Sequence, residues 1–357
     1  MVAPMLGIFT SQTPQVCYTE LGCFRNDGVF GANPIRPINP FPQSPQTIGT
    51  EFLFYSLTNA NNPQTIQALD SYLFKNIKFN SSLQTRIVIH GYKAGLLVNG
   101  FSHNSFEVVK DGLLNSGNSN VILVQWTRGA SGLYFQSVAN CRVVASQIAL
   151  LIKYLVNERK ARTDMFHLIG FSLGAHISGY VGKLVPNLGR ITALDAAKPY
   201  FDGVSAGVRL DSSDALFIDS YHTDNDMGTT SPIGNIDIYF NGGNRQPGCD
   251  YQIFDTALND GILDGLFETL SCDHKRALDY YADFLLTSKS ACRPVAYRCD
   301  SWHKFMSGLC WMCGQSGENC VVVGLNADLN THRNVYRKAD NNPIVVRKID
   351  THFEAYY

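Results

Sequence analysis

The chain has almost no net charge: 29 basic and 30 acidic side chains over 357 residues leave −1 at neutral pH. Nucleic-acid binders carry a basic patch or stripe, and this composition gives no reason to expect one. Long apolar runs are also missing. None approaches the roughly 18 residues of a membrane-spanning helix, so no transmembrane segment is expected. Internal repeats, low-complexity tracts and convincing linkers are absent as well, which sets aside repeat architectures and leaves a single domain as the simplest account. The apolar patch Val2 to Phe9 has no basic residue before it. It reads as an N-terminal arm or signal remnant spanning residues 1–16.

Cysteine, by contrast, is plentiful. There are ten, six of them between Cys272 and Cys320. Thiols at this density in a non-repetitive chain point to an oxidising compartment and a secreted, extracellular protein. The sequon Asn80-Ser81-Ser82 agrees with that reading. The C-x-x-C of Cys310 and Cys313, flanked by Cys299 and Cys320, leaves zinc open beside disulfides on spacing alone.

Periodicity gives an α/β pattern. Residues 17 to 50 are rich in Pro and Gly and read as an irregular arm. Strands are expected at Glu51 to Leu57, Thr85 to Ile89, Val121 to Trp126, Met165 to Ile169 and Ile191 to Leu194. Helices are expected at Thr65 to Leu73, Val138 to Val156 and Ala175 to Val185. Such alternation predicts a mostly parallel sheet covered on both faces. Further strands are expected at Ala215 to Tyr221 and Ile236 to Phe240, a helix at His274 to Leu286, and edge strands beyond Cys320.

Within this pattern Gly170-Phe171-Ser172-Leu173-Gly174 joins a strand to a helix, the context of a nucleophile elbow. Taken alone, G-x-S-x-G is a weak signal, and a glycine-rich strand-to-helix turn with a surface serine is the plainer reading. A serine hydroxyl attacks only when a base takes its proton, and the base needs an orienting acid. Asp195, at the end of the Ile191 to Leu194 run, is placed to be that acid, although a turn or capping aspartate would look the same. His222 and His274 are both candidates for the base, and nothing in the residues alone separates them.

The sequence resembles the catalytic domain of the pancreatic lipase family from Cys17 to about Cys320. The resemblance is carried by CYTELGCF, the I-H-G-Y turn, GFSLGAH, ITALDAAKPYF, VRLDSSDALFIDSYHTD, NGGNRQPGC and SCDHKRALDYY, in that order. It implies an α/β-hydrolase fold with Ser172 as nucleophile, Asp195 as acid and His274 as base. Oxyanion donors would come from Tyr92 and Leu173. The chain departs from the family at Phe171, where His is common, at Ala196, where Pro is common, and at Tyr92, where Phe is usual. The resemblance also implies a structural calcium loop of Ala206, Arg209, Asp211 and Asp214, with no cofactor required for chemistry. It pairs Cys17–Cys23, Cys249–Cys272, Cys299–Cys310 and Cys313–Cys320. Cys141 and Cys292 remain and are expected to form a fifth bridge.

The segment between Cys249 and Cys272 encloses 22 residues. It clusters Ile253, Phe254, Leu258, Ile262, Leu263, Leu266 and Phe267 with Asp255, Asp260 and Asp264. In the resembled family this is the lid (residues 249–272), and its length matches triacylglycerol lipases. The short stretch from His222 to Asn235 instead matches phospholipases A1. The expected partner is lipid at a membrane, micelle or droplet surface. Too few residues follow Cys320 for the C-terminal β-sandwich of the larger members, so no colipase docking is expected.

Overall fold

In this computed structural model, residues 14–94, 105–249, 262–286, 294–325, 327 and 344–346 are described, 262–271 and 344–346 by backbone alone. The strands are β1 (Gln15–Tyr18), β2 (Gly22–Arg25), β3 (Glu51–Tyr55), β4 (Gln64–Gln67), β5 (Thr85–Ile89), β6 (Asn120–Gln125) and β7 (Phe166–Phe171). They continue as β8 (Arg190–Leu194), β9 (Phe217–His222), β10 (Ile236–Phe240), β11 (Val295–Arg298), β12 (Cys320–Val322) and β13 (Ile344–Val346). The helices are α1 (Pro45–Ile48), α2 (Ser105–Ser116), α3 (Thr127–Ala130), α4 (Tyr134–Arg159), α5 (Leu173–Leu184), α6 (Asn241–Asn244), α7 (Ile262–Leu286) and α8 (Trp302–Met306).

Among the described residues one sheet runs in the order β12-β11-β13-β10-β9-β8-β7-β5-β6-β3-β4. From β13 to β6 every neighbouring pair is parallel, and the two ends are antiparallel. The central strands are Val-, Ile- and Leu-rich and buried throughout, as parallel strands covered on both faces must be. Side-chain alternation divides the interior in two. Ile87, Ile89, Ile122, Val124 and Leu168 point to the face covered by α4 and α5. Val88, Val121, Leu123 and Ile169 point to the face covered by α2 and α7. The α/β-hydrolase architecture expected from the resemblance is therefore present.

α4 is long and apolar enough to cross a bilayer, yet 72% of its most apolar window is buried inside the molecule. It is a core helix packed beside α5. This placement corrects the expected fifth disulfide. Cys141, on α4, is a free buried thiol that donates to Ser137 O at 3.2 Å. Cys292 lies outside the described residues. The other four bridges are formed.

Local predictions differ at four places. Thr65 to Leu73 is not a helix: Gln64–Gln67 pairs with β3 as an edge strand, followed by a 3-10 turn at Ser71–Asn76. The start of the expected irregular arm is a regular β1-β2 hairpin, across which the bridged Cys17 and Cys23 face each other. His274 stands within α7, which begins at Ile262, rather than at a helix start. Of the two tail strands, β12 is an edge, but β13 inserts between β10 and β11 and is interior. The expected lid lies partly outside the described residues, with Ile253, Phe254, Asp255, Leu258 and Asp260 among those not described.

Candidate active site

Chain order along the sheet creates the site. After β5 the chain places β6 on one side, and β7 then returns to the other. Ligands bind where strand order reverses, beyond the carboxyl ends of the strands. The turn carrying Tyr92 follows β5, and Ser172 follows β7, so both stand at that reversal.

Ser172 has φ 56° and ψ −118°, a backbone conformation that costs a side-chain-bearing residue about 1–3 kcal/mol. Surrounding bonds hold it there. Ser172 N donates to Leu194 O at 3.0 Å, and Ser172 O accepts from Ala175 N at 3.1 Å. The glycines of the elbow are steric requirements. A Cβ on Gly170 would lie 2.3 Å from Gly174 O, and one on Gly174 would lie 2.1 Å from Ile89 O. Across the turn, a Cβ on Gly91 would come within 2.6 Å of the Ser172 Cβ.

Asp195 follows the adjacent strand β8, also with positive φ (46°). Its Oδ2 accepts from His274 Nδ1 at 2.6 Å. Its Oδ1 accepts from Thr223 N at 2.9 Å. Asp195 is fully buried and His274 is 4% exposed, so this pair is shielded from water. The Nδ1–H bond fixes the tautomer and leaves Nε2 as the proton acceptor. Phe171, where His is common in the resembled family, packs against the His274 ring at 4.7 Å between centroids. Asp224 lies close to Asp195 and His274, and burial followed by repulsion from Asp195 is part of what raises its pKa.

His222 is excluded as the base by its own bonds. It is fully buried, with Nδ1 donating to Thr229 O at 2.6 Å and Nε2 against Asp237 Oδ1 at 2.9 Å. Burial opposes its protonation, but the Asp237 carboxylate outweighs that and raises its pKa. Both ring nitrogens are committed, Nδ1 to the loop that follows β9 and Nε2 to Asp237 on β10.

Ser172, His274 and Tyr92 line one cavity of about 260 Å³, together with Ala94, Tyr134, Phe171, Ala197, Pro199, Met227, Lys93 and Lys275. Leu173 opens α5, so its N–H belongs to the first helical turn, whose amides have no intrahelical acceptor. The Tyr92 turn has a support that the sequence did not reveal. His90 is buried and stacked on Trp126 at 5.5 Å. His90 Nε2 accepts from Trp126 N at 3.0 Å, and Trp126 Nε1 donates back to His90 O at 2.9 Å. Burial depresses the His90 pKa to about 4, so the ring stays neutral and can accept.

The expected calcium positions lie together on the loop that packs against α5. Asp214 is buried, and burial raises its pKa against the pull of Lys183. Asp211 pairs with Arg209 at 3.6 Å. Lys183 was not singled out from sequence. Its signal was available, since His176, Gly179 and Lys183 recur at helical spacing on one face of α5.

The family model described as Lipase matches residues 14–341. Pancreatic lipase-related protein 2 of Rattus norvegicus is 37% identical over 327 residues, covering 88% of this chain and 67% of that protein. Pancreatic triacylglycerol lipase of Myocastor coypus is 35% identical, covering 88% and 68%. Inactive pancreatic lipase-related protein 1 of Mus musculus is also 35% identical, covering 91% and 68%. The chain spans about two thirds of the length of the relatives it matches.

Proposed function

The chain belongs to the lipase family, and from that premise we propose that it is a secreted serine ester hydrolase acting on acyl esters of neutral glycerolipids. The family includes proteins named inactive, so membership alone does not carry the reading. The observation that carries it is the buried 2.6 Å bond from His274 to Asp195, beside a strained Ser172 in the same cavity.

In this reading the Ser172 hydroxyl attacks the ester carbonyl while His274 Nε2 takes its proton. Asp195 stabilises the imidazolium that results. The amides of Leu173 and Tyr92 receive the oxyanion, whose stabilisation is commonly the largest catalytic contribution. His274 then returns the proton to the leaving alcohol. Water enters by the reverse route and releases the fatty acid from Ser172. The aromatic and aliphatic lining of the cavity suits an acyl chain. Four disulfides fit an extracellular location. Exposed Met306, Leu309 and Met312 on the doubly bridged segment 299–320 would favour contact with lipid.

A second reading, phospholipase A1 or galactolipase, draws on the loop after His222. Lys198 N donates to Met227 O at 2.8 Å and Thr229 N to Ala196 O at 2.8 Å, drawing this loop down against the Asp195 turn. Lys93 and Lys275 also line the cavity, which suits an anionic head group. The length of the segment between Cys249 and Cys272 favours triacylglycerol. Fatty-acid release from emulsified triolein and from phosphatidylcholine, with Ser172→Ala as control, decides between them. Faster release from triolein supports the first reading. Release mainly from the first acyl position of the phospholipid supports the second.

A further inference from the structure

We propose that the ammonium of Lys183 takes the place of a calcium ion in this chain, fastening the loop of residues 205–214 to α5 without a metal. Lys183 Nζ donates to Arg209 O at 3.0 Å and to both Asp214 carboxylate oxygens, at 2.6 and 2.5 Å. Two of the four expected ligand residues are thereby bound to a cation belonging to the chain. All three ammonium protons have acceptors.

The other carboxylate is also satisfied. Asp211 accepts from Ser213 Oγ at 2.9 Å and from Ser213 N at 3.2 Å, besides its ion pair with Arg209. Asp214 Oδ2 further accepts from Asp211 N at 2.9 Å. Each negative charge of the loop thus has a positive partner. Calcium needs six to eight oxygens at about 2.3–2.6 Å. On these oxygens it would press against the Lys183 ammonium, and the Asp214 side chain is only 3% exposed, leaving little water to screen the repulsion. The donor set does not fit the ion while Lys183 is present.

The neighbouring contacts explain why Lys183 can reach. A Cβ on Gly182 would lie 2.0 Å from Asp214 O, and one on Gly179 would lie 2.8 Å from the Leu210 Cα, so the loop backbone rests directly on the helix. His176 Nδ1 accepts from Leu210 N at 3.1 Å, and its Nε2 donates to Ala197 O at 2.8 Å. Tyr180 OH donates to Val208 O at 2.7 Å. Lys183 completes this face. Because α5 begins at the nucleophile, the tie braces the elbow from behind.

Thermal unfolding of the full chain in millimolar calcium and in EGTA tests this without any activity assay. The wild type should melt at the same temperature in both. Lys183→Met should melt about 4–8 °C lower in EGTA and recover part of that loss in calcium. A wild type stabilised by calcium would overturn the inference, as would a variant that matches the wild type or that calcium fails to recover. If Lys183→Met does not fold, calorimetric titration of the wild type decides alone: absence of calcium binding supports the inference, and binding at micromolar concentration overturns it.

Discussion

At the scale of single residues, the elbow was readable because its glycines are imposed by backbone contacts that any protein of this shape must make. Gly174→Ala would drive a Cβ into Ile89 O at 2.1 Å. It should cost about 1–3 kcal/mol or more of stability, measurable by urea unfolding. Gly91→Ala would instead push on the Ser172 side chain, 2.6 Å away. Its expected signature is a loss of about 100-fold or more in kcat with a smaller change in stability, since small misplacements of a nucleophile are that costly. Asp195→Asn removes the acceptor that fixes the His274 tautomer, and kcat should fall on the order of 10⁴-fold while the thermal midpoint changes modestly. The choice between His222 and His274 was not readable from the residues. It rests on which carboxylate each ring meets, Asp237 or Asp195, and both pairings join segments distant in sequence. The His90–Trp126 pair was hidden for the same reason, 36 residues separating partners that stack in the folded chain.

At the scale of elements, buried parallel strands were legible because full burial demands unbroken Val, Ile and Leu. Edges were not. Gln64–Gln67 alternates weakly and owes its strand conformation to pairing with β3, a tertiary contact that local pattern does not encode. α7 extends back to Ile262, beyond the expected start at His274, and Cys272 lies inside the helix rather than before it. The same limit produced the fifth disulfide. Counting cysteines cannot tell that one of them serves as a small core side chain, and Cys141 lies in the core with α4 as a free thiol. Burial pushes its thiol pKa well up, so it should be inert in the native protein. Ellman's reagent should therefore detect no Cys141 in the folded chain and should detect it after denaturation without reductant. A denatured chain with no reactive thiol would restore the fifth bridge.

For the whole molecule, three buried histidines contribute a loss of stability in acid. Burial lowers the pKa of His90 to about 4 and of His176 to about 3, and holds His167 well below its ordinary value. Each is neutral when folded and binds a proton on unfolding below its ordinary pKa of 6.5. Their contribution is therefore complete above that pH and is lost as pH falls from 6.5 toward the folded values, by up to about 1.4 kcal/mol per unit for each. His222, whose pKa is raised by Asp237 against burial, acts in a different window: its contribution is fully present below 6.5 and is lost as pH rises through its folded pKa, so it does not alter the loss below 6.5. Urea midpoints should fall between pH 7 and pH 5, and equal midpoints would contradict the neutral assignments. The central claim is that Ser172, His274 and Asp195 act together as a hydrolytic triad. Its most direct test is exposure of folded protein to an alkyl phosphonate, followed by intact mass and peptide mapping. The account predicts one covalent adduct on Ser172, none in Ser172→Ala, and strongly slowed labelling in His274→Ala. Folded wild-type protein that forms no adduct would contradict it.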